Sequence, residues 1–142
     1  MNKKDFKILV VDDEEIMRDF LTDLLSDQGF SVDKQSSGAL VPKALEQNAF
    51  DLILTDLRMP DCDGLEVLEK VKNKNCKTKV ILMTGYALDN SGQEYLDRGA
   101  FGFILKPFDM DQIRNLVLDA FEVAVSENAA QDMQNCRGEE KS

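Results

Sequence analysis

The sequence predicts an α/β fold: a doubly wound five-stranded parallel sheet in strand order 2-1-3-4-5, built as (βα)5. Two observations carry this. Five short apolar runs alternate along the chain with five stretches of helical spacing, which implies parallel strands joined by right-handed crossovers. Three of the runs, KILVV, LILT and KVILM, are almost continuously apolar, as strands covered on both faces are. Five strands of this size favour that strand order.

The first strand is placed at Lys7–Val11. The stretch Glu14–Gln28 follows, with Ile16, Phe20, Leu21, Leu24 and Leu25 on one helical face. Gly29 stops that helix as a C′ glycine. The second strand, Ser31–Gln35, is more polar and suits a sheet edge. Pro42 would lose a hydrogen bond and clash if it lay deep in a helix. The second helix is therefore expected to start near Leu40 or Val41, with Pro42 in its first turn. The third strand is Leu52–Thr55, and the helix Leu65–Lys74 follows Asp63-Gly64 and buries Leu65, Leu68 and Val71. The fourth strand is Lys79–Met83, and its helix, Asn90–Arg98, is shorter and more polar. The fifth strand is Gly102–Leu105. The last helix, Asp109–Val125, carries Ile113, Leu116, Val117, Ala120, Phe121 and Ala124, and Asp109 can cap its start. Residues 1–125 thus read as one domain, and 126–142 as a polar tail, frayed helix and then disorder.

Composition narrows the function. The 142 residues make about one domain, enough to bury a core without disulfides or a structural metal. The net charge of -10 repels phosphates and anionic membranes, so no direct nucleic-acid or membrane partner is expected. No apolar run reaches the roughly 18 residues of a membrane span, and no signal peptide is read at the N-terminus. The expected location is cytoplasmic. Cys62, Cys76 and Cys136 show no CxxC spacing and suggest reduced thiols. There is no histidine, which excludes His-dependent triads and His-containing zinc sites. Any metal must then be a hard cation held by oxygen: Mg²⁺, Mn²⁺ or Ca²⁺.

In such a sheet, ligands sit outside the carboxyl ends of the strands. There the sequence places Asp12 and Asp13, Asp56, Thr84 followed by Gly85, and Lys106 followed by Pro107. Carboxylates crowded together repel, by roughly 4 kcal/mol at about 4 Å and an effective dielectric near 20. A divalent cation removes that cost, and Mg²⁺ commonly takes one or two carboxylates while keeping phosphate oxygens as other ligands. Such a site is built for a phosphoryl group. Metal and lysine neutralise the transferring oxygens, the threonine donates a hydrogen bond, and a carboxylate can act as nucleophile.

The stretches KILVVDDEE, DLILTDLRMPDCDGLE, VILMTGYA and GAFGFILKPF, in this order and at strand ends, resemble the CheY-like receiver domains of two-component response regulators. The resemblance spans roughly Lys7 to Val125 and implies the flavodoxin-like, CheY-like form of the fold. It also implies Mg²⁺ as cofactor, with Mn²⁺ as a substitute. Asp56 is implied as phosphoacceptor. Asp12, Asp13, Asp56 and the backbone carbonyl of Arg58 are implied as metal ligands. Thr84 and Lys106 would contact the phosphoryl group, and Thr84 with Phe103 would form the switch. Arg58 and Tyr86 flank the path of attacking water, so slow dephosphorylation is expected. Phe103 stands where many receivers have tyrosine and lacks a hydroxyl to donate. The implied phosphoryl donor is a sensor histidine kinase, a histidine phosphotransfer protein or a small acyl phosphate. The implied output is a partner protein or a second copy, bound through the surface of helix four, strand five and helix five.

Other readings fare worse. Asp61-Cys62-Asp63-Gly64 fails as a calcium loop, because Met59 and Lys70 stand at the positions that need acids. It also lies too late to be the nucleophile motif of a haloacid-dehalogenase-type phosphatase. An FMN site would need a phosphate-cradling loop where Asp12-Asp13-Glu14-Glu15 stands. The chain is expected to be no turnover enzyme, but a switch that catalyses only its own phosphorylation and dephosphorylation. A dedicated phosphatase and a non-phosphorylated binding module are the alternatives. No output domain is read in the sequence. A stand-alone receiver, a relay intermediate and a piece of a longer regulator all stay open.

Overall fold

The computed structural model describes residues 2–59, 62–74, 77–85 and 93–129. Its elements run β1 (Lys7–Val11), α1 (Glu15–Asp27), β2 (Ser31–Gln35), α2 (Val41–Gln47), β3 (Leu52–Asp56), α3 (Gly64–Lys74), β4 (Lys79–Thr84), α4 (Gln93–Asp97), β5 (Gly102–Leu105) and α5 (Met110–Ala129). Every strand pairing is parallel, and the order is β2-β1-β3-β4-β5, as expected.

Alternation along the strands divides the core in two. Ile8, Val10, Leu52, Leu54, Ile81 and Met83 face the layer of α1 and α5. Leu9, Val11, Ile53, Val80 and Leu82 face that of α2 and α3. Both faces are apolar, which is why the strands read as unbroken runs. Below the first layer, the rings of Phe6, Phe30 and Phe121 meet with centroids 5.4–5.6 Å apart.

The helix ends follow local chemistry. Gly29 has φ +102°, a left-handed value that suits glycine. Its N–H donates to Ser26 O at 3.0 Å, and that of Phe30 to Leu25 O at 3.3 Å, closing a Schellman motif. Asp109 and Gln112 cap α5 reciprocally, at 2.8 and 2.9 Å, and Asp63 and Glu66 do the same for α3, at 2.9 and 3.1 Å. Pro42 lies in the first turn of α2, and a 3-10 turn at Gly38–Leu40 leads into it.

Three expectations need correction. Ile16 and Phe20, assigned to the buried face of α1, are 86% and 38% exposed. The buried stripe is Leu21, Leu24 and Leu25 with Met17 beside it. Ile16 and Phe20 form a neighbouring i, i+4 stripe turned away from the sheet. On α3, Val67 joins Leu68 and Val71 as a buried residue, whereas Leu65 is only partly buried. Finally, α5 does not stop at Val125 but continues to Ala129, into the stretch expected to open as frayed helix. Glu127 there pairs with Lys79 at 2.7 Å, a partner 48 residues away in sequence. Residues 90–92 of the expected fourth helix, and 130–142 of the tail, lie outside the described residues.

Candidate functional site

Parallel pairing carries the polar residues to one edge. Asp56 pairs with Met83, and Leu57 N–H then donates to Met83 O at 2.7 Å. Lys106 N–H donates to Thr84 O at 2.7 Å, and Asp12 N–H to Gln35 O at 3.2 Å. Each ladder therefore runs one step past its strand and fixes the backbone of a polar residue. α3 starts hard against this edge. A Cβ on Gly64 would stand 2.9 Å from both Asp56 O and Leu57 Cα, so the glycine lets the helix approach the backbone of the central carboxylate.

Carboxylate oxygens of Asp12, Asp13 and Asp56 all lie within 4.8 Å of one another. Asp12 and Asp56 are buried, and Asp13 is exposed. The Lys106 ammonium lies 3.2 Å from Asp12 Oδ2, 3.5 Å from Asp56 Oδ2 and 3.9 Å from Glu14 Oε1. Asp12 Oδ1 also accepts from the N–H of Glu14 at 2.9 Å. Burial pushes the Asp56 carboxyl above its ordinary range. The Lys106 charge pulls it back, the Asp12 charge pushes it up, and an N–H of the Arg58 main chain opposes the rise. The net result is a raised pKa, the mark of a carboxylate held in a site that disfavours its charge.

Thr84 is buried at the end of β4, beside Lys106 in the ladder. Phe103 is half-buried on β5 and packs on the α2–α3 side of the core. Arg58 is exposed, and Tyr86 lies outside the described residues. Of the residues singled out by sequence, Asp12, Asp13 and Asp56 converge within 4.8 Å, and Lys106 pairs with Asp12 and Asp56. Two participants were not foreseen. Glu14 faces Lys106, and Arg18 donates from Nη1 to the Asp12 carbonyl at 2.8 Å. A charged residue on the first turns of a helix reads as solvated surface, so nothing in the sequence singled out either contact.

The donor set consists of hard oxygens and suits a small divalent cation. Asp12, Asp13 and Asp56 would hold it, and when bound it would neutralise charge on phosphoryl oxygens. Among the described residues no helix is long and apolar enough to cross a membrane.

Comparison with known proteins agrees with this geometry. The family described as "Response regulator receiver domain" matches residues 8–118. The chain is 35% identical over 117 residues to Regulatory protein AtoC of Escherichia coli K12, with 82% of this chain but 25% of that protein covered. It is 33% identical over 111 residues to Sporulation initiation phosphotransferase F of Bacillus subtilis 168, covering 78% of this chain and 90% of that protein. A CheY-like receiver domain protein from Methanospirillum hungatei JF-1 superposes with a TM-score of 0.80 at 28% identity, covering 86% of this chain and 98% of that one. The chain thus spans about a quarter of some curated relatives and nearly all of another. The order of the sheet, the three converging carboxylates and the match over 8–118 place the chain in the family of response regulator receiver domains.

Proposed function

We propose that the chain accepts a phosphoryl group on Asp56 in a Mg²⁺-dependent reaction and thereby switches a binding surface. The observation that carries the reading is the meeting of Asp12, Asp13 and Asp56 within 4.8 Å, with Lys106 3.5 Å from Asp56. An Asp56 oxygen attacks the phosphorus of a phosphohistidine on a sensor kinase or phosphotransfer protein. The O–P bond forms as the P–N bond breaks, and the electron pair leaves on the imidazole, which takes a proton. Lys106 neutralises the phosphoryl oxygens, and the Thr84 hydroxyl donates to one of them. The new group adds a charge of about -1.5 to -2. Thr84 and Lys106 draw toward it, Phe103 follows inward, and the surface of α4, β5 and α5 changes for an output partner or a second copy.

Metal ligation by Asp12, Asp13, Asp56 and the Arg58 carbonyl belongs to the same proposal. So do the cytoplasmic location and a receiver domain of residues 1–125. Bulky Arg58 and Tyr86 should obstruct in-line water and lengthen the phosphorylated state. Small residues at both positions should shorten its lifetime by mass spectrometry, and a wild-type lifetime of seconds would refute this. A relay role, passing the phosphoryl group on to another histidine, is favoured by the likeness to Sporulation initiation phosphotransferase F over 90% of its length.

The test is intact mass after incubation with acetyl phosphate, with and without Mg²⁺, for wild type and Asp56→Asn. One added phosphoryl group, Mg²⁺-dependent and absent from the variant, is expected. No gain from acetyl phosphate or from a histidine kinase would overturn the proposal.

A further inference from the structure

Arg18 is spent on the main chain of the acidic turn and not on an acid. It sits half-buried on α1 and donates to the main-chain carbonyl of Asp12 at 2.8 Å. Glu14 and Glu15 stand one turn before it, where a helix-surface arginine ordinarily finds an ion pair. Among the described residues it makes none. Its main chain is anchored in the helix, as Arg18 N–H donates to Glu14 O at 3.0 Å and Arg18 O accepts from Thr22 Oγ1 at 2.7 Å.

With this contact every polar group of Asp12 is engaged. Its N–H goes to Gln35 O, Oδ1 takes Glu14 N–H, Oδ2 takes Lys106 and the carbonyl takes Arg18. The carbonyl shares its peptide plane with the nitrogen of Asp13. The peptide on the other side of Asp13 is held by Glu14 N–H on Asp12 Oδ1, so with both flanking planes fixed the direction in which the Asp13 side chain leaves is fixed too. Asp13 is the exposed member of the acidic trio, and no described residue holds its carboxylate.

We infer that Arg18 is a positioning residue for the acidic turn: through the Asp12 carbonyl it aims the Asp13 carboxylate at the point shared with Asp12 and Asp56. The inference rests on the reading of those carboxylates as a divalent-cation site. Arg18 touches neither cation nor phosphoryl group. Position and charge act here with opposite sign. As a nearby positive charge, Arg18 repels a bound cation, so its removal would tighten binding. As a positioning residue it aids binding, so its removal weakens it.

The probe is Mn²⁺ alone, its free form titrated by electron paramagnetic resonance against the full chain. Arg18→Met should weaken Mn²⁺ binding about ten-fold, the ordinary effect of losing a group that orients a ligand. Arg18→Gln, which also cannot span to the carbonyl, should show the same loss with an unchanged far-UV circular dichroism spectrum. In an Asp13→Asn background, Arg18→Met should have no further effect, since the residue it aims is gone. Binding that is unchanged or tighter in the single variants, or a full additional loss in the Asp13→Asn background, would overturn the inference. Absence of Mn²⁺ binding by the wild type would instead overturn the cation site itself, and this inference with it.

Discussion

Asp56→Asn should stabilise the protein when no divalent cation is present. The Asp56 side chain is 11% exposed, and one of its oxygens lies within 4.8 Å of an oxygen of Asp12 and of Asp13. At that separation and an effective dielectric of 20, one like-charge pair costs about 3.5 kcal/mol. Lys106, 3.5 Å away, offsets a comparable amount, but the same ammonium also serves Asp12 at 3.2 Å. One repulsion is thus left over, with burial added to it. Asparagine removes both, and gives back about 1.5–2 kcal/mol through weaker hydrogen bonds from Lys106 and the Arg58 N–H. The balance is a gain of about 1–2 kcal/mol, read from urea unfolding in EDTA at pH 7. The pH dependence has a definite sign. The folded-state pKa of Asp56 is raised above its ordinary value of 3.8, so the folded protein binds this proton more tightly than the unfolded chain does. The penalty of ionised Asp56 is full at neutral pH. It is relieved as pH falls through the raised value and is gone below the unfolded one. The advantage of Asp56→Asn should therefore shrink on acidification. A variant no more stable than wild type at pH 7, or a gap that widens toward acid, would refute the electrostatic account.

Further outcomes can be checked by the same unfolding measurement. Lys106→Met leaves Asp12, fully buried, without its cation. About 2–3 kcal/mol should be lost, below the usual range for a broken buried pair because the lysine side chain is 16% exposed; a loss under half a kcal/mol would contradict this. Gly64→Ala must displace backbone at 2.9 Å and should cost about 1–3 kcal/mol, with the amide resonances of Asp56 and Leu57 shifted. On α1, Ile16→Ser should stay within about 0.5 kcal/mol of wild type, whereas Leu21→Ala should cost about 2–5 kcal/mol. Equal losses at the two positions would mean that the buried face has been misplaced.

The fold was legible because both faces of the sheet are covered, which turns buried strands into unbroken apolar runs such as Leu52–Leu54. The site was legible because parallel strands deliver their carboxyl ends to one edge, so that Asp12, Asp56, Thr84 and Lys106 needed only the strand order to be brought together. What escaped depends on direction and distance. Ile16, Phe20 and Leu21 are all apolar, and spacing alone does not say which of two adjacent stripes meets the sheet. The last turn of α5 looked like the start of a tail, because the partner of Glu127 is a lysine at the foot of β4. The Asp12–Arg18 contact joins a side chain to a backbone carbonyl, and residue types carry no trace of such a bond. Gly64 was read as part of a helix start, while its reason, backbone against backbone, appears only with α3 in place.

The length of α5 has a mechanical consequence. Its 20 residues extend about 30 Å, against roughly 17 Å for a five-residue strand. One end stands at the corner that follows Lys106, and the other overhangs the opposite edge of the sheet. Such a rod acts as a lever with its near end beside the candidate site. A tilt of about 5° at Met110 would sweep the far end through about 2–3 Å over that length. The Lys79–Glu127 pair, with the lysine side chain 9% and the glutamate 56% exposed, ties the long arm to the foot of β4 where that travel would be greatest.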